Sequence, residues 1–74
     1  MSTEQTREER LDRALMLARA GRAAEKRRNL AGALDQYTAA LAELDGLDPT
    51  PLQANLLRWS GSVLRDLGDV EGAD

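Results

Sequence analysis

The sequence predicts an all-α fold, and three observations support this prediction. Residue types that favour β-strands are nearly absent, since there is no Ile or Phe and valine occurs only as Val63 and Val70. Leucine and alanine recur at spacings of three and four residues, the period of one helix face. The strongest helix-breaking cluster is Asp48-Pro49-Thr50-Pro51. We therefore expect one small domain over residues 1–74, an antiparallel helix hairpin followed by a third helix.

Helix 1 is predicted over residues 7–28, after a disordered N-terminus over residues 1–6. Thr6, followed by Glu9 three residues later, has the form of a capping box. Helical periodicity begins directly afterwards at Leu11. The segment ends in three basic residues, which interact favourably with the C-terminal end of a helix dipole.

Helix 2 is predicted over residues 29–45. Asn29 is a favourable N-cap, and Gly46 is placed to end the helix, with Leu47 packing back on the last turn in a Schellman motif. The apolar stripe of this helix keeps the spacing of three and four throughout, and it comprises Leu30, Ala33, Leu34, Tyr37, Ala40, Leu41 and Leu44.

Helix 3 is predicted over residues 51–67, because Thr50 is a suitable N-cap and Pro51 a favoured first helical residue. Gly68 is expected to end it, and residues 69–74, with Asp69 as cap, form the stub of a truncated fourth helix. Helix 3 carries two apolar stripes. The first stripe comprises Leu52, Leu56, Trp59, Val63 and Leu67, and it packs on helix 2. The second stripe comprises Leu57, Gly61 and Leu64, and it has no partner in this chain.

Two glycines forty residues apart indicate an internal repeat. Gly21 and Gly61 lie within helical patterns, and each is followed twelve residues later by an alanine, Ala33 or Ala73. Glycine within a helix costs about 1 kcal/mol relative to alanine. We therefore expect a second helix to approach closely at these points, with Gly21 against Ala33. The second copy stops before a counterpart of Tyr37, so the chain is a fragment of a longer array or a partner supplies the missing helix.

This pattern resembles the tetratricopeptide repeat, a helix hairpin that stacks into a right-handed α-solenoid. The first copy matches at Leu17, Gly21, Ala24, Ala33, Tyr37 and Ala40, and the truncated second copy matches at Leu57, Gly61, Leu64, Gly68 and Ala73. The chain departs from the family pattern at Arg28, where a turn glycine is common, at Ala24, which replaces an aromatic residue, and in its longer period. The resemblance implies a non-catalytic scaffold that binds another protein.

The resemblance also implies where a partner peptide binds, because the first helix of each pair lines a concave surface. The polar residues expected there are Arg22, Glu25, Lys26, Asn55, Arg58, Ser62 and Arg65. A surface rich in cations favours an acidic segment or a free C-terminal carboxylate. The Lys and Asn pair of the carboxylate-binding members is not visible, since Ala18 and Arg22 occupy the corresponding places. The alternative interpretation is that these residues form an ordinary solvated face.

Charge and composition limit the other functions. The net charge is −3, and it is distributed unevenly: residues 1–28 carry eight basic and five acidic side chains, and residues 29–74 carry two and eight. The acidic balance argues against a nucleic-acid partner. A chain without Cys or His lacks disulfides, thiolates and imidazole ligands, so we expect no metal and no cofactor. Neither paired catalytic groups nor a phosphate-binding glycine loop is present, so we expect no enzyme activity. The apolar runs are short, which predicts a soluble cytoplasmic protein without membrane contact.

Two alternatives to peptide binding remain open. Two chains would cover the second stripe of helix 3 by self-association through Leu57 and Leu64. Helix 3 would alternatively act as a DNA recognition helix carrying Gln53, Asn55 and Arg58, although the acidic residues of the preceding turn oppose contact with phosphate. Tyr37 and Trp59, the two aromatic residues, are both expected to pack in the core.

Overall fold

The chain forms three α-helices in the computed structural model, which describes residues 3–47 and 49–71, and the side chains of residues 6–47 and 49–69. Helix α1 spans Thr3–Lys26, α2 spans Leu30–Leu44 and α3 spans Pro51–Glu71. The described residues contain no strand, so the prediction of an all-α fold is confirmed. Helix α1 packs along α2 and α2 packs on α3, whereas α1 and α3 approach each other at only a few positions.

The start of α1 differs from the prediction. The helix begins at Thr3 rather than near Arg7, so Thr6 lies inside the helix and does not cap it. Residues 3–6 are helical instead of disordered, and the rest of that predicted segment, Met1 and Ser2, lies outside the described residues. The extra turn has a physical basis, because Glu4 and Gln5 are favourable helix formers and they lead directly into a segment rich in Glu and Arg.

The turn between α1 and α2 has the hydrogen bonds of a Schellman motif. The amide of Asn29 donates to the carbonyl of Ala24 at 2.9 Å, and the amide of Arg28 donates to the carbonyl of Glu25 at 2.9 Å. Arg28 adopts the left-handed conformation with φ of 63°. The arginine thus takes the backbone conformation that a glycine usually supplies. Asn29 then caps α2 as predicted, because its side chain accepts a hydrogen bond from the amide of Gly32 at 3.1 Å.

We expect the substitution Arg28→Gly to stabilise the protein by about 1 kcal/mol, because glycine adopts a positive φ without the steric cost that a side chain imposes. Arg27→Gly is the matched control, since it removes the same charge from the adjacent residue, which has no positive φ. Urea denaturation followed by circular dichroism measures both. Equal shifts in the two variants would contradict the conformational explanation.

Gly46 ends α2 as predicted, but the motif differs from the expected one. Asp45 has φ of −61° and ψ of 130°, Gly46 has φ of 83°, and the amide of Leu47 donates to the carbonyl of Leu44 at 3.0 Å. These values describe a type II β-turn rather than a Schellman motif. Arg10 of α1 donates to the carbonyl oxygen of Asp45 at 2.9 Å and thereby satisfies an acceptor at this end of α2.

Helix α3 begins as predicted and extends further. The hydroxyl of Thr50 accepts a hydrogen bond from the amide of Gln53 at 3.1 Å, and Pro51 is the first helical residue. Gly68 does not end the helix, which continues to Glu71. Asp69 therefore lies within α3 and caps no fourth helix; residues 72–74 of the predicted stub, like Asp48 of the breaker cluster, lie outside the described residues. A single glycine costs about 1 kcal/mol within a helix, which is not enough to stop it.

The core depends on small side chains along α1. The buried residues of this helix are Ala14, Ala18, Gly21 and Ala24. Those of α2 are Ala33, Tyr37, Ala40 and Leu44, and Leu56, Ser60 and Val63 are buried on α3. Because the fully buried positions of α1 carry only a methyl group or a hydrogen, α2 lies close to it and the Tyr37 side chain fills the space between the helices.

Candidate functional site

Tyr37 of α2 lies where the three helices meet, between residues of α1 and α3. Its side chain is fully buried. A methyl group built on Gly21 would lie closest to Cε1 of the Tyr37 ring, 2.6 Å from Cδ1 and 2.9 Å from Cζ. On the other side, the ring centroids of Tyr37 and Trp59 of α3 are 5.8 Å apart with an interplanar angle of 35°. Tyr37, a residue of α2, therefore packs against both α1 and α3.

The residue that fills the space at Gly21 differs from the expected one. The sequence predicts an approach of Gly21 to Ala33, but the three atoms nearest to an added methyl group all belong to Tyr37. Ala33 is itself fully buried in the core. The missing side chain of Gly21 thus makes room for the aromatic ring of Tyr37.

The two glycines of the repeat have opposite environments. Gly21 is buried against Tyr37, whereas Gly61 is exposed and, among the described residues, no packing neighbour lies within 4 Å of a methyl group built there. Leu57 and Leu64, on the same face of α3, are 58% and 54% exposed. The second stripe of α3 therefore faces solvent, in contrast to the equivalent face of α1.

Arg22 of α1 contacts Trp59 of α3. Its guanidinium carbon lies 4.9 Å from the centroid of the Trp59 ring, within the range of a cation–π interaction. Its Nη1 atom also donates to Oε2 of Glu25 at 3.0 Å. Trp59 is accordingly half-buried, packed on the core along one side and covered in part by Arg22. The Arg22 and Glu25 spacing of three is visible in the sequence, but the contact with Trp59 is not.

The Tyr37 hydroxyl is buried without a hydrogen-bond partner among the described residues. Burial raises the pKa of Tyr37 above its ordinary value of 10.0, and the nearby negative charge of Glu25 raises it further, while Arg22 opposes the increase. The hydroxyl is therefore neutral at physiological pH. The buried hydroxyl of Ser60 also lacks a partner within the described part of the chain.

The other predicted binding residues lie on the outer surface of the helices. Arg58 and Arg65 are exposed on α3, Asn55 and Ser62 are half-buried beside them, and Lys26 is exposed in the last turn of α1. Nη2 of Arg58 donates to Oδ1 of Asn55 at 2.6 Å, which orients this arginine. Gln53, which the DNA-binding alternative requires, is half-buried.

The predicted repeat-packing residues divide between core and surface. Ala24, Ala33, Tyr37 and Ala40 are buried, Leu17 is half-buried, and Leu57, Gly61, Leu64 and Gly68 are exposed. Ala73 lies outside the described residues. The residues of the first copy therefore hold a hairpin together, and those of the second copy face outward.

A shallow groove between α1 and α2 was not predicted. It has a volume of about 250 Å³ and is lined by Arg13, Met16, Leu17 and Glu43. Nη1 of Arg13 lies 3.8 Å from Oε2 of Glu43 at its edge. Sequence reasoning missed this groove because Arg13 and Glu43 are thirty residues apart and no local pattern links them.

Within residues 3–47 and 49–71, no cluster of three or more acidic side chains is arranged to hold a metal ion. No described helix combines the length and the apolar character that crossing a membrane requires. Comparison of the chain with protein-family models, with curated proteins and with solved structures gives no match. The resemblance to the tetratricopeptide repeat therefore stays a prediction.

Proposed function

We propose that this chain is a non-catalytic protein-interaction module with the hairpin packing of a tetratricopeptide-like α-solenoid, and that the face formed by α1 and α3 binds an acidic peptide segment. Two features of the fold support the repeat architecture. A glycine on α1 accommodates an aromatic residue of α2, and α2 packs in turn on α3. The resemblance places the ligand on the first helix of each pair, which here means α1 and α3.

The observation that carries this proposal is the contact of Arg22 with Trp59. It joins a side chain of α1 to a side chain of α3, which supports a surface shared by residues that are far apart in the sequence. The proposed face includes four of the cations on these two helices, namely Arg22, Lys26, Arg58 and Arg65.

The geometry of α3 suits an extended ligand. Arg58 and Arg65 are seven residues apart, so they lie on the same side of the helix about 10 Å from each other. Asn55 and Ser62 have the same spacing and supply hydrogen-bonding groups next to the two arginines. Arginine forms charge-assisted and often bidentate hydrogen bonds with carboxylates. An acidic segment running along α3 would meet both arginines.

We expect a fluorescein-labelled peptide of glutamate residues with a free C-terminus to bind the wild-type protein, and a lysine peptide of equal length not to bind. The double variant Arg58→Glu/Arg65→Glu should lose about tenfold or more in affinity, since it replaces two attractions with two repulsions. Fluorescence anisotropy at low salt measures the binding.

The matched control is the double variant Arg19→Glu/Arg27→Glu, which changes the net charge equally at two exposed arginines outside the proposed site. We expect this control to retain most of the affinity. An equal loss in both double variants would overturn the proposed site, because total charge alone would then account for the binding. Circular dichroism checks that each variant remains helical.

A further inference from the structure

We propose that the second stripe of α3 binds an amphipathic helix of a partner protein, one that carries net negative charge and seats an aromatic side chain on Gly61. This surface is separate from the peptide face proposed above. Viewed down the axis of α3, Arg58 and Arg65 lie about 50° around the helix from Gly61. Asn55 and Ser62 lie further around in the same direction, about 100–120° from Gly61. The arginines thus stand between the two surfaces.

The exposed stripe has the spacing of a helix-packing surface. Ala54, Leu57, Gly61, Leu64 and Gly68 follow one another at intervals of three, four, three and four residues, and the structure leaves all five exposed. This spacing aligns them along one seam of the helix. Leucines alternate with residues that have a methyl group or no side chain. A facing helix would therefore find space for its own large side chains between Leu57 and Leu64.

The hairpin of α1 and α2 indicates which side chain fits the space at Gly61. Gly21, the counterpart of Gly61 forty residues earlier, is in contact with the ring of Tyr37, whereas no neighbouring described residue lies within 4 Å of a methyl group added at Gly61. Leu57, like its counterpart Leu17, stands four residues before the glycine. On α3, the leucine and the glycine of this arrangement are therefore present, but no described residue supplies the facing helix or its aromatic side chain.

Charge and aromatic content favour a different protein over a second copy of this chain. Two copies packed antiparallel through the stripe would set Arg58 and Arg65 of each copy beside those of the other, and like charges repel. The aromatic residues of the chain are also already engaged, since Tyr37 is fully buried and Trp59 packs between Tyr37 and Arg22. A partner helix with carboxylates and an exposed aromatic residue meets both requirements.

The natural partner is unidentified, so the probe is a synthetic peptide with the sequence of α2 and its caps, residues 29–45. This segment has no basic side chain, carries Asp35, Glu43 and Asp45, and contains Tyr37, which seats on Gly21 within the protein. We expect the labelled peptide to bind the full chain in fluorescence anisotropy, more weakly at high salt. A peptide with Tyr37→Ala should bind about tenfold more weakly or worse.

Three protein variants decide the location of the site. Leu57→Ser/Leu64→Ser removes the apolar contact, and Gly61→Leu fills the space for the aromatic ring, so each should reduce affinity by about tenfold or more. Gly61→Leu also replaces glycine with a better helix former, which keeps the protein folded. Met16→Ser is the control, because it removes an apolar side chain that is 69% exposed elsewhere, on α1. It should bind as the wild type does.

The proposal would be overturned if the wild-type protein did not bind the peptide. It would also be overturned if all variants bound the peptide equally, since the peptide would then be displacing α2 within the protein. Light scattering supplies the remaining outcome. A wild-type dimer that becomes monomeric in Leu57→Ser/Leu64→Ser would assign the stripe to a second copy and also overturn it. The Glu peptide of the previous section is measured on the same variants. Its binding should not change in Gly61→Leu, so the failure of one proposal is distinguishable from that of the other.

Discussion

Replacing Tyr37 with alanine should destabilise the protein by about 3–5 kcal/mol, the cost of removing a large buried aromatic side chain. The ring lies between Gly21 of α1 and Trp59 of α3, so its loss opens a cavity where the three helices meet. A domain of this size has a small core and little stability to spare. We expect Tyr37→Ala to be largely unfolded by far-UV circular dichroism at room temperature.

The substitution Tyr37→Phe distinguishes the ring from its hydroxyl. Because the hydroxyl is buried without a hydrogen-bond partner among the residues that the structure describes, its removal should leave the stability unchanged or raise it slightly. In the folded protein the pKa of Tyr37 lies above its ordinary value of 10.0. The contribution of Tyr37 to the free energy of unfolding is therefore complete below pH 10.0 and is lost as the pH rises through the folded pKa. The phenylalanine variant lacks this loss. A large destabilisation by Tyr37→Phe would contradict the description of an unpartnered hydroxyl.

Gly21→Ala and Gly61→Ala should change stability in opposite directions, although the sequence aligns the two residues as equivalents. At Gly21 the new methyl group would overlap the Tyr37 ring, and such overpacking costs about 1–3 kcal/mol. The gain of about 1 kcal/mol in helix propensity offsets part of this cost. At Gly61 the methyl group meets no described neighbour, so the same gain in helix propensity remains and raises the melting temperature by about 4–8 °C.

Thermal and urea denaturation of both alanine variants beside the wild type test this difference. Gly68→Ala is a third comparison, since Gly68 also lies inside α3 and no neighbour in the described part of the chain comes within 4 Å of an added methyl group. It should behave as Gly61→Ala does. If Gly21→Ala proved as stabilising as the other two, the close contact of α1 with Tyr37 would be refuted.

The number and order of the helices were predictable because local rules govern them. Asn29 and Thr50 cap the following helices, and Gly46 ends α2 with a positive φ. Each of these effects acts between residues at most four positions apart, and a sequence pattern records such neighbours directly. The same rules gave a wrong prediction at Gly68, because the tendency of a single glycine to end a helix is weak. Gly68 did not end α3, because the helix continues when nothing competes with its hydrogen bonds.

The proposed binding surfaces were predictable only in part. The sequence indicated that Leu57 and Leu64 lack a partner in this chain, and both are more than half exposed. It identified the cations on α1 and α3, yet nothing in it showed that Arg22 lies over Trp59, since thirty-seven residues separate them. That contact depends on how α2 holds the outer helices.

Periodicity and capping residues therefore decide where each helix lies along this chain, since they depend on backbone hydrogen bonds and near neighbours. Which faces of the helices meet depends on how closely they approach. Gly21 and Gly61 occupy corresponding positions in the sequence repeat but have opposite environments, because Tyr37 reaches one of them and no described residue reaches the other. Packing between distant residues determines burial, and burial in turn determines which leucines and arginines are available to a partner.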